Sequence, residues 1–193
     1  MESAPAQADK AQLRRLFRAR RRRLLPAAEA PLQAWGDQAL PSLLAAGGGA
    51  LGIYWPLDGE ADLRGLAELP QLRRRLALPR VSDGRLRYHR WQPGDPLQAD
   101  ATGIPAPSGG EPLAPEQLAV LLAPALAFDR RGYRLGYGGG WFDRLRSQPG
   151  WGRVTALAVL PAGCLVPQLP ADPWDVPFAG WLDEGGLHWL QAV

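Results

Sequence analysis

The sequence predicts an α/β protein built on one open, largely parallel (mixed) sheet with helices on both faces. Three observations predict it. Short continuous apolar runs such as "LAVLLAPALAF" have the character of strands buried on both sides. These runs alternate with segments whose apolar residues recur at helical spacing, the order that gives parallel strands. A glycine-rich segment, "RLGYGGGWFDR" at 134–144, joins a strand to the start of a helix, and open α/β sheets bind ligands at such junctions.

From Asp9 to about Leu25, the residues Leu13, Leu16, Phe17, Leu24 and Leu25 fall near helical spacing between arginines, which predicts an amphipathic helix ended by Pro26. A second helical stretch, interrupted by Pro31 and Pro41, runs to the glycines at Gly47. "ALGIYW" (50–55) is a short buried strand, "DLRGLAELPQLRRR" (62–75) is helical in composition, "LALPRV" (76–81) is a strand, and "RLRYHRW" (85–91) alternates as a more exposed one. The Pro/Gly-rich stretch from Trp91 to Pro115 is expected as a long surface loop, of a length that is commonly functional or disordered. "LAVLLAPALAF" (118–128) is the central strand, "WFDRLRS" (141–147) a helix and "VTALAVL" (154–160) another buried strand. "AGWLDEGGLHWL" (179–190) closes the chain as a strand or hairpin. A length of 193 residues without internal repeats suits one domain over 1–193.

Composition narrows the function classes. The hydrophobic fraction of 46% supports a core, and no stretch approaches the roughly 20 apolar residues that span a bilayer, so no membrane partner is expected. The N-terminus lacks an apolar signal region; an Arg-rich transit peptide is the competing reading, against which stand Glu2 and Asp9. One cysteine, Cys164, excludes an internal disulfide and a cysteine-built zinc site. A cytoplasmic monomer is the expectation. The net charge is only +3, yet Arg14, Arg15, Arg18 and Arg20 to Arg23 crowd one segment. That run is either a solvated helix face or a polyanion-binding surface, with nucleic acid the less favoured partner. Among 22 basic residues there is one lysine, Lys10. In a chain that writes arginine wherever either cation serves, a retained lysine marks either a demand for a compact ammonium or chance survival.

The glycine segment carries the chemistry. Successive main-chain N–H groups form an anion nest, reinforced by the following helix, and Arg134 adds a guanidinium that can grip phosphate oxygens in bidentate fashion. Asp143 beside bound phosphates is repulsive unless a cation intervenes, and Mg²⁺ takes one or two carboxylates together with phosphates and water. The segment lacks the Gly-Lys-Ser/Thr ending of a P-loop and has Trp141 where the dinucleotide fingerprint ends in glycine. A glycine-rich turn without ligand would explain the glycines but not Arg134 and Asp143.

"LLAPALAFDRRGYRLGYGGGWFDRL" closely resembles the signature of the 5-formyltetrahydrofolate cyclo-ligase family, also called methenyltetrahydrofolate synthetases. "KAQLR" at Lys10 to Arg14, "YWPLDGEADL" and "LVPQLPADPWDVP" are similar to further family segments, so the resemblance runs nearly end to end. It implies a Rossmann-like cyclo-ligase fold and an enzyme that cyclises 5-formyltetrahydrofolate to 5,10-methenyltetrahydrofolate while splitting ATP. A formamide oxygen leaves poorly, and phosphorylation makes it a good leaving group. The resemblance further implies that Lys10, Arg14 and Arg134 contact the triphosphate and that the main chain from Leu135 through Gly136, Tyr137, Gly138, Gly139 and Gly140 to Trp141 cradles it. By the same resemblance Asp143 and Asp175 hold Mg²⁺, and Trp55, Glu60 and Tyr137 contact the folate. Arg134, Lys10 and Tyr137 are the catalytic candidates.

Each assignment has a plainer rival. Arg14 also reads as one more solvated arginine, Glu60 as the cap of a helix starting near Asp62, Trp55 as core, and Asp175 as a turn residue. His89 and His188 lie outside the matched motifs and are ordinary strand or surface histidines. The sequence departs from the family pattern at Trp141-Phe142, where two tyrosines are usual, at Leu63 in place of threonine, at Ala119 in place of aspartate and in "GIPAP", which lacks an acidic residue. Two other functions stay open: a non-catalytic polyanion- or RNA-binding protein, and a diverged ATP-dependent enzyme acting on another formylated substrate.

Overall fold

A buried residue recurs every three or four positions through Phe17, Arg21, Leu25, Ala28, Leu32, Gly36, Leu40 and Leu44. That stripe holds together a single helix, α1 (Lys10–Ala45), in this computed structural model, which describes residues 10–45 and 48–190. The expected helix start at Asp9, the transit-peptide question and Gly47 lie outside the described residues.

Pro26 therefore does not end the helix, and Pro31 and Pro41 do not interrupt it. A proline inside a helix removes its own N–H and frees the carbonyl four residues back. Here those carbonyls belong to Arg22, Ala27 and Asp37, all exposed, so water can satisfy them. The buried stripe outweighs the lost bonds.

The sheet strands are β1 (Ala50–Gly52), β2 (Leu76–Ser82), β3 (Arg85–Arg90), β6 (Leu118–Pro124), β9 (Thr155–Val159), β11 (Gly180–Asp183) and β12 (Gly186–Trp189), with a short hairpin, β4 (Leu97–Ala99) and β5 (Pro105–Pro107), inserted between β3 and β6. They form one seven-stranded sheet in the order β12-β11-β9-β6-β1-β2-β3. The inner pairings β11/β9, β9/β6, β6/β1 and β1/β2 are parallel; the outer pairings β12/β11 and β2/β3 are antiparallel. A largely parallel, mixed sheet is thus present. A smaller sheet of β7 (Ala127–Asp129), β8 (Arg134–Leu135) and β10 (Leu165–Val166), ordered β10-β7-β8, lies beside it with the short helix α2 (Trp141–Arg146).

Alternating side chains of the strands divide the core. Leu121, Ala123, Ala156 and Ala158 join Tyr88, Phe128 and Leu145 in one cluster. Val120, Leu122, Leu157 and Val159 join Leu32, Leu40 and Leu44 of α1 in the other. Helices cover both faces, although α2 has only six residues and the small sheet shares its side.

Three expectations are corrected. Residues 62–75 form a 3-10 segment, Arg64–Glu68, followed by hydrogen-bonded turns; Leu69, the residue before Pro70, takes extended backbone (ψ 121°) and ends the segment. "LAVLLAPALAF" is two strands, because the chain leaves the main sheet after Pro124 and β7 pairs with β8 and β10 instead. The stretch from Trp91 to Pro115 carries the β4/β5 hairpin, whose turn is organised by Asp100 accepting N–H bonds from Thr102 and Ile104.

Candidate active site

Asp129 sets up the glycine loop. Its buried carboxylate accepts main-chain N–H bonds from Arg131 (2.9 Å), Tyr133 (3.0 Å) and Leu169 (2.8 Å), and it pairs with the Arg131 guanidinium. One anion thus shapes the turn into β8 and fastens it to the chain that leads to Asp172 and Asp175. Beyond β8, Gly138 (φ 104°) and Gly140 (φ 62°) adopt left-handed backbone that glycine alone enters freely. A Cβ on Gly136 would lie 2.6 Å from Arg134 Nη1, and one on Gly139 would lie 2.9 Å from the Trp141 ring. Among the described residues, no N–H of Gly136, Tyr137, Gly138, Gly139 or Gly140 donates to another part of the backbone or to a side chain. Five consecutive donors are left for solvent or a ligand.

Cations surround this loop. Arg14 Nε donates to the Gly136 carbonyl (3.1 Å), so Arg14 faces the site and is not one more solvated arginine. Arg134, its side chain only 6% exposed, meets Asp143 Oδ1 at 3.2 Å and lies 5.0 Å from the Phe142 ring and 5.5 Å from Phe178. Its Nε is buried without a partner. Lys10, at the start of α1, reaches Asp172 Oδ2 at 2.5 Å and Asp175 Oδ2 at 3.5 Å. Burial alone would lower its pKa, but the Asp172 hydrogen bond and the two carboxylate charges win and hold it above the ordinary lysine value.

Glu60, in the segment after β1, is buried. One oxygen accepts the Leu57 N–H (2.8 Å) and the other has no hydrogen-bond partner. The 3-10 segment begins after Leu63 without a side-chain cap, so Glu60 does not cap a helix. Burial, partly offset by the Leu57 N–H and by Arg21 and Arg134, raises its pKa. Trp55 is half-buried under the Arg64 guanidinium, 4.3 Å from its ring centroid, and so is neither wholly core nor free. The Tyr137 hydroxyl is buried without a partner.

All of these groups line one cleft of about 410 Å³: Lys10, Arg14, Trp55, Glu60, Asp143, Asp175 and the entire run from Arg134 to Trp141. That volume suits a small-molecule ligand. The β4/β5 hairpin contributes Asp100, Thr102 and Ile104 to the wall, a role that sequence composition left open. Four further residues escaped sequence reasoning. Asp172 pairs with Lys10, Trp174 is 64% exposed at the cleft, and Arg144 lies 4.4 Å over Trp141. Arg146 donates to the carbonyls of Val176 (3.1 Å) and Pro177 (3.0 Å), tying α2 to the segment that bears Asp175. The spacing Asp-x-x-Asp at 172–175 was the available signal for the first. His89, in β3, holds the Gly110 carbonyl at 2.9 Å, and His188 pairs with Asp183 in the β11/β12 hairpin; neither lines the cleft.

A sequence model of the 5-formyltetrahydrofolate cyclo-ligase family matches residues 6–181. The 5-formyltetrahydrofolate cyclo-ligase of Escherichia coli (strain K12) is 30% identical over 172 residues, covering 84% of this chain and 93% of the relative. The NMR structure of Aquifex aeolicus 5,10-methenyltetrahydrofolate synthetase, 30% identical, superposes with a TM-score of 0.75 over 95% of this chain and 94% of that one. A 5,10-methenyltetrahydrofolate synthetase from Mycoplasma pneumoniae shares the fold at 20% identity, with a TM-score of 0.66 over 92% of this chain and 99% of that one.

Proposed function

The chain belongs to the 5-formyltetrahydrofolate cyclo-ligase family, and from that premise we propose that it closes 5-formyltetrahydrofolate to 5,10-methenyltetrahydrofolate while splitting ATP to ADP and phosphate with Mg²⁺. The observation that carries the ATP assignment is the run of five unpaired main-chain donors, 136 to 140, ringed by Arg14 and Arg134. Such a nest suits phosphate oxygens. The carboxylates Asp143 and Asp175 fit an ion that arrives with a nucleotide, since Mg²⁺ is usually completed by phosphates and water. Among the described residues no three acidic, His or Cys side chains gather as a cage of their own.

Bound nucleotide would supply the phosphoryl group that turns the formyl oxygen into a leaving group. The protein's share is positioning and charge. Arg14 fixes the loop through the Gly136 carbonyl, and Arg134 offers its guanidinium from a nearly buried, aromatic-lined seat where electrostatic effects are strong. Lys10, now paired with Asp172 and Asp175, would give its ammonium to phosphate oxygens when nucleotide is bound, which would leave Asp175 available to hold Mg²⁺. Glu60 has one free oxygen to accept pterin N–H groups, Trp55 supplies an apolar wall, and the Tyr137 hydroxyl takes a substrate atom as its missing partner.

Purified protein given 5-formyltetrahydrofolate and MgATP is expected to yield the methenyl chromophore with an equal amount of ADP. Arg134→Ala and Asp143→Asn are each expected to lower kcat by about 10²-fold, the scale of losing one preorganised charge-stabilising group, with unfolding transitions near wild type. No chromophore from the wild type would reject the activity; normal rates in both variants would reject the placement of the phosphate site.

A further inference from the structure

Within the arginine run of α1, Arg15, Arg18, Arg20, Arg22 and Arg23 are exposed, whereas Arg21 is 2% exposed. It falls on the stripe between Phe17 and Leu25, where an aliphatic side chain would be the ordinary occupant. Its partners do not repay the burial. Nη1 makes a long bond to the Ala125 carbonyl (3.3 Å) and stands 3.9 Å from Glu60 Oε1, while Nε and Nη2 are buried with no partner. Glu60 Oε1 likewise has no hydrogen bond, only that 3.9 Å ion pair. The Arg21 guanidinium also lies 5.1 Å from the centroid of the Tyr137 ring, whose hydroxyl is a further buried polar atom without a partner.

A buried ion pair in such geometry is a poor stabiliser, because desolvation of both ions exceeds what a 3.9 Å contact returns. Native buried polar groups are normally satisfied, and a cluster of exceptions asks for a reason. Here the exceptions share one neighbourhood. Glu60 and Tyr137 line the cleft, and Arg21, behind them, touches both.

We infer that Arg21 is a positioning residue for the folate end of the cleft: its charge favours the ionised form of Glu60, whose Oε1 is left without a hydrogen bond, and it backs the Tyr137 ring. This rests on the proposed folate reading of Glu60 and Tyr137. The groups facing Glu60 are Arg21 from α1, Tyr54 from the segment after β1 and Arg134 from β8; Arg18 and Cys164 face Arg21. Burial already raises the Glu60 pKa, and Arg21 and Arg134 counter it. Removing Arg21 therefore raises it further, and the pH at which Glu60 becomes an anion moves up.

The test uses the full chain with Arg21→Met, Arg21→Lys, Glu60→Gln and the double variant Arg21→Met/Glu60→Gln. Binding of 5-formyltetrahydrofolate is measured by calorimetry without nucleotide, and KM for folate and for ATP is measured from pH 5 to 9. Arg21→Met is expected to weaken folate binding and raise its KM about tenfold, to leave the ATP KM within about twofold, and to move the pH midpoint of the folate KM upward. Arg21→Lys is expected to restore most of the loss. The double variant is expected to lose less than the sum of the two single losses, any loss beyond Glu60→Gln alone being the share of the Tyr137 contact, and because it contains no lone buried carboxylate it keeps the test open if Arg21→Met does not fold. Equal rises in both KM values, an unmoved pH midpoint, or additive losses in the double variant would overturn the inference. A wild type that makes no methenyl product would instead reject the proposed function itself.

Discussion

Gly136 shows how little room a single residue leaves at this site. Its missing Cβ would stand 2.6 Å from Arg134 Nη1, and Arg134 cannot easily retreat, being held by Asp143 and set between Phe142 and Phe178. Gly136→Ala is expected to push the guanidinium off its seat. The measured consequence is a fall in kcat/KM for ATP of about tenfold, or about 1.4 kcal/mol, with a thermal midpoint close to wild type. Gly65→Ala, which has open space around it, is the control and should change neither. An unaffected kcat/KM in Gly136→Ala would mean that Arg134 does not need its present position. At this scale the sequence was informative wherever residue type restricted chemistry: the clustered glycines, the single lysine and the flanking Arg134 and Asp143 all line the cleft. It was silent on Arg21, since nothing in "RARRRR" distinguishes the arginine that faces inward from those that face water. Only the phase of the helix does, and that phase is set by Phe17, Leu25 and the residues beyond Pro26.

Elements were legible where their pattern was local. Strands β2, β3 and β9 and helix α2 stand within a residue or two of their expected limits, because apolar runs bounded by turns or arginines leave few alternatives. Failures occurred where tertiary burial overrode a local rule. Three prolines do not break α1, whose buried stripe supplies more than their missing hydrogen bonds cost, and Pro124 hands the chain from one sheet to the other within a continuous apolar run. The terminal hairpin gives a test at this scale. A Cβ on Gly180 would lie 2.0 Å from the His188 carbonyl oxygen of the facing strand, so no side-chain rotation relieves the clash and β12 must move. Gly180→Ala is expected to cost about 1–3 kcal/mol, as overpacking does, which is a drop of several degrees in Tm for a chain of this size. Gly180 does not line the cleft, so activity at low temperature should persist. An unchanged Tm would show that the two strands need not approach so closely.

The whole molecule is organised around the sheet having two unlike faces and one helix that serves both. Phe17, near the start of α1, belongs to the cluster with Tyr88, Phe128 and Leu145, while Leu25, Leu32, Leu40 and Leu44 belong to the cluster on the opposite face. The start of the same helix brings Lys10 to Asp172 and Asp175, contacts 162 and 165 residues away in sequence. Loosening either face should therefore loosen α1, and with it the cleft. Leu121 and Leu122 are adjacent in β6, both fully buried, and point to opposite clusters. Leu121→Ala and Leu122→Ala are each expected to destabilise by about 2–5 kcal/mol, the usual cost of such a cavity. If the chain is one cooperative domain, far-ultraviolet and near-ultraviolet circular dichroism will lose their signals in one coincident transition in both variants, and inactivation by heat will follow the same curve. Two separated transitions in either variant, with the probes parting company, would mean that the faces unfold independently and that α1 does not couple them.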